Sequence, residues 1–168
     1  MDRNEIHEQD CEEQKDNFLR EVQQAKAYCL RLLVSLDRTE SQLRTKLRQK
    51  GYSEQAADEV ISYVKGLRYL DDERYASYYI ASKSETRSRR QIIQDLQRRG
   101  VSRETIERQM EEADEIDELP MIRRWMEKKH FDPNQADEKE TWRFYQFLQR
   151  KGFSSSNIRR VLRGFDME

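Results

Sequence analysis

An all-α fold, built as a tandem array of three three-helix repeats, follows from three features of the sequence. First, one stretch is written three times: Leu43…Leu47…Gly51-Tyr52-Ser53 recurs as Ile92…Leu96…Gly100-Val101-Ser102 and as Phe144…Leu148…Gly152-Phe153-Ser154. Each copy has apolar residues eight and four positions before the glycine and another directly after it. Two more follow six and ten positions past it: Ala57 and Ile61, Ile106 and Met110, Ile158 and Leu162. Copies at 51, 100 and 152 give a period of about fifty residues, which marks a repeat array whose modules bury apolar faces on their neighbours. Second, charged residues make up 39% of the chain, with two prolines and five glycines, a mixture suited to solvated helices. Third, no stretch alternates with period two for long enough to form a strand.

In chain order, residues 1–17 are polar and mostly acidic and read as a tail or the start of a helix. Repeat one spans 18–68. From Phe18 its apolar residues share one helical face: Val22, Ala25, Cys29, Leu32 or Leu33, and Leu36. Thr39 with Gln42 fits a capping box that opens the second helix, and Ser88 with Gln91 repeats it. The glycine ends the second helix in a left-handed turn, the next residue packs back, and a serine caps the third helix. Repeat two spans 69–117, with Asp71 capping its first helix to about Ser82 and a basic link over 83–90. Repeat three spans 118–168. It starts near Glu118-Leu119-Pro120, where proline suits a first helical turn, and His130 to Gln135 form a loop around Pro133.

Composition narrows the chemistry. Two cysteines are too few for a disulfide framework or a tetrahedral zinc site. There is no apolar run near the length of a membrane span and no signal-peptide pattern, so a cytoplasmic setting without a membrane is expected. Only His7 and His130 are available, and no serine, cysteine or histidine grouping resembles a nucleophile with its base. Asp71-Asp72-Glu73 could hold a hard cation, but acids at a helix start are favoured by capping and the helix dipole. Trp125, Trp142, Phe144 and Phe147 read as packing residues, not as a stacking platform for bases. Neither an enzyme nor a cofactor is expected.

The 32 basic and 33 acidic residues nearly cancel, but they are segregated. Basic residues accompany the same helix and turn in each copy: Arg44, Lys46, Arg48 and Lys50, then Arg87, Arg89, Arg90, Arg98, Arg99 and Arg103. Repeat three supplies Arg143, Arg150, Lys151, Arg159, Arg160 and Arg163. The recurrence favours a surface for an acidic, extended partner. A helix-turn-helix DNA reader is the rival. It is disfavoured by leucine four before each glycine, where close helix crossing wants a small residue, and by acid-rich reading helices at 54–61 and 103–110. A helical protein–protein scaffold is the third possibility.

Ala25-Lys26-Ala27-Tyr28-Cys29-Leu30-Arg31-Leu32-Leu33 and Tyr69-Leu70-Asp71-Asp72-Glu73-Arg74-Tyr75-Ala76 resemble the RecX family of bacterial recombination regulators. The likeness continues through Arg89-Arg90-Gln91-Ile92-Ile93-Gln94-Asp95-Leu96-Gln97-Arg98-Arg99-Gly100-Val101 and Phe147-Leu148-Gln149-Arg150-Lys151-Gly152-Phe153, covering about residues 21–165. The chain departs from the family pattern in two places: Arg68 stands where glycine precedes Tyr-Leu-Asp-Asp, and Ser88-Arg89 replaces Gly-Pro. The resemblance implies an elongated, curved array that binds the RecA recombinase, lodges in the groove of its filament on single-stranded DNA, and restrains its ATPase and strand exchange. A monomer is expected, with single-stranded or duplex DNA as an open second contact. The residues expected to face filament acids or phosphate are Arg87, Arg89, Arg90, Arg98, Arg99, Arg150, Lys151, Arg159 and Arg160. Arg74, one turn after its cap, is expected to pair with Asp71 or Asp72.

Overall fold

The computed structural model describes residues 3–163, with side chains over 12–163. Among these residues the chain is all helix and no strand. Repeat one contributes α1 (Arg3–Ser35), α2 (Glu40–Lys50) and α3 (Glu54–Gly66). Repeat two contributes α4 (Asp72–Lys83), α5 (Arg89–Arg98) and α6 (Arg103–Glu112), and repeat three α7 (Leu119–Lys129), α8 (Glu138–Arg150) and α9 (Ser155–Arg163). Helix α1 takes in the acidic stretch from Arg3 onward. The side chains of that stretch up to Cys11, His7 among them, lie outside the described residues, as do Met1 and Asp2.

The chain divides into two compact units. One comprises the chain up to Tyr75 with Arg99–Val101; the other comprises Ala76–Arg98 and the chain from Ser102 onward. In the first, Val22, Ala25 and Cys29 of α1 meet Leu43 and Leu47 of α2 and the apolar face of α3 from Ala56 to Val64. Burial pushes the Cys29 thiol up to about 11, so it stays protonated and behaves as a small core hydrophobe. In the second, Ile92, Leu96, Ile106, Ile122, Leu148 and Ile158 are all buried. The thrice-written apolar positions are therefore core positions, except Tyr52 and Leu162, which are half-buried.

Two residues expected to pack inside, Leu36 by its helical face and Trp142 as a packing aromatic, are exposed. Leu36 is 62% exposed because α1 ends at Ser35, so the helical face does not continue to it. Trp142 is 58% exposed, on the side of α8 away from buried Phe144 and Leu148. A helix turns about 100° per residue, so positions two apart face nearly opposite ways.

The expected caps form. Thr39 and Gln42 make a reciprocal box, and Ser88 and Gln91 make the same one. Ser53, Ser102 and Ser154 accept from the backbone N–H three residues on. Gly51, Gly100 and Gly152 take φ of 91°, 81° and 85°. Arg68 takes a left-handed φ of 57°. The Arg74 guanidinium donates to the Arg68 carbonyl at 3.3 Å, while its own N–H is capped by Asp71. The expected Arg74–acid pair is thus replaced by a cation on the carbonyl of the left-handed residue.

Carboxylates distant in sequence supply a second set of caps. Glu21 of α1 accepts from both the N–H and the hydroxyl of Ser53, at the start of α3. Asp72 accepts the Glu40 N–H at the start of α2, and Glu118 accepts the Arg89 N–H at the start of α5. The second Glu118 oxygen takes the Ser154 N–H and the Asn157 side chain at the start of α9. Each of these acids satisfies N–H groups that a helix start leaves free, and its charge suits the positive end of the dipole. Asp71 and Asp72 are thereby accounted for as caps. Among the described residues no group of three or more histidines, cysteines or acids could hold a metal ion.

Candidate functional site

The second unit carries a groove of about 560 Å³ between the outer faces of α5 and α8. Four arginines line it: Arg87 just before α5, Arg90 and Arg98 on α5, and Arg150 at the end of α8. Gln91 and Gln94 on α5, with Gln146 and Gln149 on α8, complete the wall. Residues three apart share a helical face, so each helix presents a glutamine pair to the groove beside its arginines. Among the described residues no carboxylate lines it.

Asp95 organises this cluster from beneath. It is buried, accepts from the Tyr79 hydroxyl at 3.0 Å, and pairs with the guanidinium groups of both Arg87 and Arg98. Burial pushes the Asp95 carboxyl up, but the Tyr79 hydroxyl and the two arginines outweigh it and hold it below the usual carboxylate range. Its single negative charge faces two positive ones, so the groove stays net positive while two of its arginines are held in place. Among the described residues, no hydrogen bond or ion pair engages the side chain of Arg90 or Arg150. Both are exposed.

The remaining candidates scatter. Arg89 reaches the Met110 carbonyl at 3.4 Å, at the C-terminal end of α6. Arg99 donates to the Tyr75 hydroxyl at 2.8 Å. The Lys151 ammonium lies 4.9 Å from the Trp125 ring centre and 5.6 Å from that of Phe147, a cation–π position. Arg159 and Arg160 are exposed on α9. In repeat one Arg44 pairs with Glu40 and Asp58 and Arg48 with Glu54, and Lys65 pairs with Glu40, whereas Lys46 reaches only the Gln49 side chain and Lys50 is exposed. Both places thus mix paired and open cations, and what sets the α5–α8 groove apart is that its open pair, Arg90 and Arg150, lines one groove with the Asp95-held Arg87 and Arg98.

Sequence reasoning named the four arginines but not the four glutamines or the role of Asp95. The glutamine pairs were visible as three-residue spacings. Asp95 is one acid among the arginines of 87–99 in the sequence, and its burial depends on how α4 and α5 pack.

Three family models match the chain: RecX, first three-helix domain, over residues 25–63; second over 71–109; third over 116–162. It is 35% identical over 144 residues to a regulatory protein RecX of Caldanaerobacter subterraneus subsp. tengcongensis, covering 84% of this chain and 71% of that protein. It is 36% identical over 137 residues to one of Trichlorobacter lovleyi, covering 79% and 89%. In fold it is similar to the crystal structure of RecX from Lactobacillus salivarius, with a TM-score of 0.75 at 19% identity over 89% of this chain and 99% of that one.

Proposed function

From its membership of the RecX family of regulatory proteins, we propose that this chain restrains the RecA recombinase, seating the α5–α8 groove against the RecA filament on single-stranded DNA. The observation that carries this reading is that, among the described residues, Arg90 and Arg150 are exposed and unpaired in a groove that no carboxylate lines. Guanidinium groups with free donors bind carboxylate or phosphate bidentately, and a filament offers both in regular array. Arg87 and Arg98, clamped by Asp95, raise the local potential and set the width of the groove without meeting the partner first. Repeats at a spacing of about fifty residues suit a partner that is itself periodic.

The test is RecA's DNA-dependent ATPase. The parent chain should suppress it at substoichiometric ratios, and Arg90→Glu/Arg150→Glu should suppress it at least tenfold less effectively by concentration. Neither arginine has an internal partner, so helicity and melting should match the parent. Undiminished suppression by the double variant would remove the groove from the interface. No suppression by the parent would overturn the reading itself.

A further inference from the structure

The exposed Trp142 lies against Tyr145, one turn along α8, with ring centres 5.6 Å apart and planes within 7° of parallel. Tyr145 is held from its far end. Its hydroxyl accepts from Gln149 at 3.3 Å, and the same amide reaches the Ser155 hydroxyl at 3.2 Å. Ser155 and Arg159 together hold the Tyr145 phenol below its ordinary range. The tyrosine ring is thus a fixed backing, and the indole is the outer layer of a two-ring stack.

A groove of about 740 Å³ opens beside this stack, with Pro133 and Leu162 on its apolar side and Arg159 and Arg163 on its rim. Among the described residues Glu138 is the one acid that lines it. An aromatic placed only for packing would be buried, as Phe144 of the same helix is. A flat, wet ring backed by a second ring and flanked by guanidinium groups has a different complement: a planar heterocycle carrying negative charge.

We propose that Trp142 and Tyr145 form a stacking platform for an unpaired base of a single-stranded nucleic acid, whose flanking phosphates meet Arg159 and Arg163. A duplex cannot use it, because its bases already stack on one another and offer no free face. A proline-rich peptide could use the rings but would have no use for the arginines. The platform goes beyond the filament reading, and its test contains no recombinase, so either can fail without the other.

Binding of the full chain to a labelled oligothymidylate of about 16 nucleotides should be compared with an abasic phosphodiester of equal length, by anisotropy at low salt. The parent should favour the base-bearing strand. Trp142→Ala should weaken that binding about tenfold while leaving the abasic strand unaffected, and Trp142→Phe should retain most of it. Arg159→Gln should weaken both strands together. Because Trp142 is exposed, its variants should melt with the parent. Equal affinity of the parent for the two strands, equal loss on both in Trp142→Ala, or no binding to either strand overturns the proposal.

Discussion

The Thr39 hydroxyl donates to the Arg99 carbonyl at 2.5 Å, and one repeat later the Ser88 hydroxyl donates to the Lys151 carbonyl at 3.0 Å. Both hydroxyls also accept from the N–H three residues on, so each closes a helix start and holds a neighbouring turn at once. The carbonyl in each case belongs to the residue just before a turn glycine. Both hydroxyls are fully buried, where losing one leaves a donor and an acceptor unmet, at a cost of about 1–3 kcal/mol. The fifty-residue period is thus also the period of a hydrogen bond.

The same closeness divides the turn glycines into two kinds. A β-carbon at Gly100 would lie 2.2 Å from the Ser41 β-carbon, and one at Gly152 would lie 2.7 Å from the Ser88 hydroxyl, while one at Gly51 would meet nothing. All three have positive φ, so alanine at any of them costs about 1–2 kcal/mol of backbone strain. Gly100→Ala should cost a further 1–3 kcal/mol or so, because α2 must move away. Denaturant titration of Gly51→Ala and Gly100→Ala checks this; equal losses would mean that the close approach carries no energy.

The Asp95 cluster should make stability depend on pH. A carboxyl held below its unfolded value adds stability that is fully present above that value, near 4, and is lost as pH falls through the folded one. Asp95→Asn should therefore be less stable than the parent at neutral pH, with the difference shrinking as the solution is acidified below about pH 4. Asp72 has the opposite sign. Burial holds its carboxyl above the usual value despite the Glu40 N–H it accepts, so Asp72→Asn should gain on the parent as pH rises from about 4 towards neutrality. Melting curves of both variants across that range decide the matter.

Arg68 should be replaceable to advantage. Its φ of 57° is costly for a residue with a β-carbon and free for glycine. Its side chain is exposed, and its carbonyl, which accepts from Arg74, is kept on substitution. Arg68→Gly should raise stability by up to about 1 kcal/mol, the strain relieved less the added entropy of the unfolded chain. A lowered melting temperature would show that the arginine side chain earns its place.

The sequence alone determined the repeat, its helices, their caps and the turn glycines, because each rests on local chemistry. A hydroxyl before a helix, apolar residues on one face and a residue without a β-carbon at a left-handed turn act within a few positions of one another. What tertiary packing decided was the use of charge. Arg44, Arg87, Arg90 and Arg98 look alike along the chain, yet Arg44 is spent on Glu40 and Asp58, Arg87 and Arg98 lean on one buried Asp95, and Arg90 is open. Likewise Glu118 reads as one acid in an acidic run, but burial and three donors from the starts of two other helices make it a cap. Trp142 read as core because sequence shows that a residue is apolar, whereas the phase of Phe144 and Leu148 decides which side of α8 is covered. Coulomb pairs and exposure are set by neighbours that distance in sequence does not reveal, and those neighbours separate the binding surface from the scaffold.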